Sequence, residues 1–80
     1  MKTDKLRTAF VTALGLPPGV SVDHARYGET EGWDSVAHMA LVAEIEGAFE
    51  IMFDTEEVLE MSSFAKAVEI LKAHGIQLES

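Results

Sequence analysis

The chain has no cysteine among its 80 residues, which excludes a disulfide framework, a thiolate nucleophile and a cysteine-based zinc site. It has only two prolines, adjacent at Pro17 and Pro18, and no apolar run near the roughly 18 residues that cross a bilayer. Its beginning, Met1-Lys2-Thr3-Asp4-Lys5, lacks the apolar stretch of a signal peptide. The absence that matters most is local. Residues 27–65 contain no Lys or Arg, yet they hold ten acids. Six Lys and Arg against fourteen Asp and Glu leave the chain at −8, a balance that repels nucleic-acid backbones and anionic membranes. At 48% hydrophobic it is too apolar for a disordered acidic tail. The expectation is one cytoplasmic, monomeric domain over 1–80, with no nucleic-acid partner and no membrane insertion. Its acidic half serves either as a solvated face or as a docking surface for basic partners.

What is present is helical periodicity. Leu6, Ala9, Phe10, Ala13 and Leu14 form one stripe, capped by Thr3 or Asp4 and ended by Gly15. The stretch 16–33, with both prolines and Gly19, Gly28 and Gly32, reads as a long loop pinned to the core by Val20, Val22, Tyr27 and Trp33. A second helix opens at Asp34-Ser35, with His38, Leu41, Val42, Ile45 and Phe49 on one side and Met52 extending it. Asp54 and Glu57 make a capping-box pattern for a short third helix, which offers only Val58, Leu59 and Met61 for packing. Ser62 or Ser63 caps a last helix in which Phe64, Ala67, Val68 and Leu71 share a face, stopped by Gly75, after which Ile76 and Leu78 fold back. The prediction is an all-α bundle: helices at about 3–14, 35–49, 55–61 and 63–74, three long and one short, with the long loop between the first two. At this size apolar burial and chain entropy nearly cancel, so the fold is expected to be marginal and strengthened by salt or divalent cations.

No constellation for catalysis assembles. His38 has no metal-ligand partner one helical turn on and reads as a core histidine with a local hydrogen bond. The acids from Asp54 to Glu60 lack the glycine of a calcium loop. Asp34-Ser35 before an apolar run is, by itself, an ordinary helix start. The outer face of the same helix adds to it: Val36, Met39, Ala40, Ala43 and Gly47 make a small apolar strip rimmed by Glu44, Glu46 and Glu50, headed by Ser35.

The run from Asp34-Ser35-Val36 through Leu41-Val42, Ile45-Glu46 and Phe49, on to Ile51-Met52-Phe53-Asp54 and Ser62-Ser63-Phe64, resembles the acyl carrier proteins of fatty-acid, polyketide and related lipid synthesis. The likeness covers nearly the whole chain without a gap. It implies an acyl-carrier-like helical bundle that is not an enzyme, with 4'-phosphopantetheine attached to Ser35 and Asp34 helping a phosphopantetheinyl transferase recognise the site. It implies that Val36, Met39, Glu46, Glu50 and Glu56 meet acyl-loading and acyl-transfer enzymes through their basic patches. Ala37, Ala40, Gly47 and Thr55 stand where such carriers commonly have acids, which points to a carrier of a dedicated pathway. Glu31 stands at a usually apolar place, with Trp33 compensating. The alternatives are an acidic helical interaction module without a prosthetic group, or a D-alanyl or aminoacyl carrier. A helix-turn-helix DNA binder conflicts with the cation-free stretch 27–65.

Overall fold

The computed structural model describes residues 2–17 and 19–78. Among the described residues four helices follow in order: α1 (Lys2–Leu14), α2 (Ser35–Phe49), α3 (Thr55–Glu60) and α4 (Phe64–Ala73). The described residues form no strand, only an isolated antiparallel bridge between Arg26 and Ser63. The all-α expectation of three longer helices, one short one and a long first loop is met. Pro18 lies outside the described residues.

The core is where the apolar stripes meet. Leu6, Phe10, Leu41, Ile45, Met61, Ala67 and Leu71 are sealed from solvent. Phe10 is at their centre, edge-on to Trp33 at 5.4 Å and to Phe64 at 5.1 Å. Edge-to-face contacts of this kind add to area burial because ring quadrupoles are attractive in that arrangement.

The loop between α1 and α2 is an ordered strap. Val22, Ala25 and Trp33 are its buried anchors. Val20 and Tyr27, expected to share that task, are each 43% exposed. Successive turns account for its backbone: Thr30 N donates to Arg26 O at 2.9 Å, Trp33 N to Thr30 O at 3.1 Å and Ala25 N to Val22 O at 3.0 Å. Tyr27 N donates to Ser62 O at 2.9 Å and Phe64 N to Ala25 O at 3.1 Å, so the strap is stitched to the α3–α4 junction.

Three local expectations need correction. Helix α1 already includes Lys2, so Thr3 and Asp4 lie inside its first turn rather than ahead of it as a cap. Thr3 is buried there, and Asp4 accepts from Arg7 at 3.4 Å. Met52 is 78% exposed instead of extending the buried side of α2. The helix stops at Phe49, and Glu50 takes a left-handed conformation (φ 55°) that turns the chain, so helical periodicity no longer applies. Beyond that turn the chain is no longer helical, and the alternate residues Ile51 and Phe53 pack on the core. On α4 the buried residues are Phe64, Ala67, Ile70 and Leu71, with Val68 only partly covered.

Candidate functional site

Helix α2 starts where its sequence says it should. Asp34 is the N-cap, extended at φ −113° and ψ −172°, and its Oδ1 accepts from Ala37 N at 2.9 Å. Its carbonyl takes the first intrahelical bond from His38 N at 2.8 Å. Ser35 is therefore the first helical residue, and it is exposed. The first backbone N–H groups of any helix lack intrahelical acceptors and carry its positive dipole end. The Asp34 carboxylate offsets part of that potential through its bond to Ala37 N, and no further acidic side chain occupies the first turn of α2.

Ser35 sits at the head of a groove of about 380 Å³ between α2 and α3. Met39, Val58, Leu59 and Met61 give the groove its apolar character, and Tyr27, His38 and Ser62 complete its wall. Around it Val36 is 79% exposed, Leu59 76% and Met39 59%, so large apolar side chains crowd the surface beside an exposed hydroxyl. A larger depression of about 590 Å³ lies between α1 and the strap, away from Ser35. Its charged side chains satisfy each other: Arg7 Nε and Nη2 donate to the two carboxylate oxygens of Asp23 at 2.9 and 3.2 Å. That fork holds the Asp23 carboxyl below its ordinary value.

The acids expected on the rim are arranged unequally. Glu50 and Glu56 are exposed. Glu46 is half-buried, and its Oε2 accepts from Phe53 N at 2.8 Å, so this side chain secures the segment after α2 as well as bordering the strip. Ala40, Ala43 and Gly47 are exposed on the outer face of α2, and that face is open and uncharged along its middle.

Two histidines have structural partners that spacing alone did not reveal. Trp33 Nε1 donates to His38 Nδ1 at 3.0 Å, while His38 Nε2 meets Val58 O at 2.7 Å. His74 Nε2 lies 2.8–2.9 Å from both carboxylate oxygens of Glu57. The hint for the first was a tryptophan whose burial obliges its N–H to find an acceptor. With both ring nitrogens engaged, His38 is not a free base for Ser35 one turn away. Among the described residues no group of three His, Asp or Glu is arranged to hold a metal ion, and no helix is long and apolar enough to cross a membrane.

The family described as phosphopantetheine attachment site matches residues 4–71. No curated protein matches the chain, and no solved structure does. The match runs from the first turn of α1 into α4 and takes in the strap, the groove and α3. The chain belongs to the phosphopantetheine-binding carrier family. Its cofactor is covalent 4'-phosphopantetheine, and it is a carrier handled by enzymes rather than a catalyst. A phosphopantetheinyl transferase and acyl-handling enzymes are the general classes of partner.

Proposed function

We propose that Ser35 bears the 4'-phosphopantetheine arm and that this chain is a monomeric, cytoplasmic acyl carrier of a dedicated lipid, fatty-acid or polyketide pathway. The observation that carries the reading is an exposed hydroxyl on the first residue of α2, at the head of an apolar groove. The fit to the arm is chemical. A phosphodiester at Ser35 would lie at the positive end of a 15-residue helix, where Asp34 takes up the N–H of Ala37 and no other carboxylate occupies the first turn. When bound, the arm supplies a thiol that holds cargo as a thioester, so a cysteine-free chain can carry acyl groups.

In the loading step Ser35 Oγ attacks phosphorus in the pyrophosphate of coenzyme A. The new P–O bond forms as the bond to adenosine 3',5'-bisphosphate breaks, and the hydroxyl proton passes to a base on the transferase. Magnesium on that enzyme balances the phosphate charge. Asp34 keeps the first turn of α2 wound while this happens and presents its exposed carboxylate to the transferase. Val36 and Met39 give partners an apolar foothold, and Glu50 and Glu56 meet their basic side chains, with Glu46 adding charge behind them. The uncharged middle of α2 suits partners that rely on apolar contact more than ion pairing, which supports a dedicated pathway. The apolar groove lining favours acyl cargo over aminoacyl cargo.

Incubation of the purified chain with coenzyme A, magnesium and a broad-specificity transferase is expected to add one phosphopantetheine mass. Ser35→Ala is expected to add none while keeping its helical circular-dichroism spectrum. No gain by the wild-type chain with several transferases would contradict the proposal and leave the interaction-module reading in its place.

A further inference from the structure

Helix α3 is six residues long, and none of them is buried. A helix of that length does not hold itself together in water, so side chains from elsewhere must fix it. One of them is His38, three residues beyond Ser35 on the same face of α2. The chemistry of its neighbours selects its tautomer. An indole N–H only donates, so His38 Nδ1, at 3.0 Å from Trp33 Nε1, carries the lone pair. The proton is then on Nε2, which donates to Val58 O at 2.7 Å. Val58 O is among the last carbonyls of α3, which have no partner within the helix. One neutral ring thus satisfies a buried indole on the strap and an orphan carbonyl on α3. It lies nearly coplanar with Trp33 (19° between planes, centroids 6.0 Å apart) and edge-on to Tyr27 (5.3 Å). The same ring lines the groove headed by Ser35.

We propose that His38 is a positioning residue that sets the width of this groove, a two-ended pin fixing α3 and Trp33 to α2. Cargo enters between α2 and α3 only as far as the bond to Val58 O allows. This role rests on the reading of Ser35 as the tether point. Gln preserves the pin's chemistry, with an acceptor oxygen and a donor nitrogen on one planar group, whereas Phe preserves the ring and deletes both bonds.

Three measurements test it together. Long-range ¹H–¹⁵N spectra of the wild-type chain are expected to show His38 protonated on Nε2 and bare on Nδ1; the reverse tautomer would overturn the pin. Amide exchange at Val58–Met61 is expected to stay within about twofold of wild type in His38→Gln and to quicken at least about tenfold in His38→Phe, with the amides of α1 around Phe10 unmoved. Equal exchange in the two variants would overturn it, and if His38→Phe does not fold, loss of α3 protection in a folded His38→Gln does so. Each chain is then loaded with the same phosphopantetheine arm bearing an uncharged acyl chain, and thioester cleavage by hydroxylamine is followed. A change of about threefold or more in His38→Phe alone supports control of the groove, and identical rates in all three chains refute it. If no chain accepts the arm, the attachment reading fails by itself, and the exchange contrast still decides whether the pin exists.

Discussion

Gly32 is the residue that brings the end of α1 to the start of α2. Its φ is +88°, and a Cβ built there would lie 2.6 Å from the backbone oxygen of Leu14. Gly32→Ala therefore combines a left-handed backbone with a clash against a carbonyl that cannot move aside. We expect a loss of more than about 1 kcal/mol, seen as a fall of about 5 °C or more in Tm. Asp34, two residues later, has two separable duties. Asp34→Ala removes the acceptor for Ala37 N and is expected to cost about 1 kcal/mol in a denaturant melt. Asp34→Asn keeps the cap, so its stability should stay near wild type while arm addition by the transferase slows. If both properties fall together, Asp34 acts only through the helix.

At the scale of elements, α3 is the part held from outside. Asp54 and Glu57 close a capping box, and Glu57 is also gripped by His74 from the end of α4. The His74 hydrogen bond, followed by that from Asp54 N, keeps the Glu57 carboxyl below its ordinary value of 4.5. A carboxyl depressed in the folded state contributes stability in full above its unfolded value, and that contribution disappears as pH falls through the folded one. Protection of α3 amides is therefore expected to decline on acidification below pH 4.5, with a flatter decline in Glu57→Gln. Identical profiles in the two chains would deny the latch a role.

The elements also show which features the sequence carried openly. The stripe Leu6–Phe10–Leu14, the pair Leu41 and Ile45, and the trio Phe64, Ala67 and Leu71 were legible because helical spacing and burial coincide there. The capping box was legible because both partners are local. Met52 was not, since a left-handed Glu50 resets the period before it. The Glu57–His74 and His38–Val58 contacts span 17 and 20 residues and depend on how helices pack, which spacing does not encode.

For the whole molecule, charge and size set the behaviour. A net −8 on 80 residues, with ten acids and no Lys or Arg between 27 and 65, means the folded state concentrates repulsion on one half. Screening should relieve it. Raising sodium chloride from about 10 mM to about 300 mM is expected to raise Tm, because the Debye length drops from about 30 Å to below 8 Å. A fall in Tm would mean that ion pairs such as Arg7–Asp23 outweigh the repulsion. The bundle, its long strap and the helix start at Asp34-Ser35 were readable from 80 letters, as was the likeness to carriers. The groove beside Ser35 was not, because its walls come from the strap, α2 and α3 at once.

The central claim is that one hydroxyl, at the tip of α2, is where the prosthetic arm hangs. Its most direct test is to locate the arm on the modified chain. Because residues 27–65 lack Lys and Arg, trypsin releases 27–66 as one long peptide holding Ser35, Ser62 and Ser63 together. Fragmentation of that peptide after transferase treatment should place the whole added mass on Ser35 and none on Ser62 or Ser63. Mass found on either of those serines, or outside the peptide, would contradict the account.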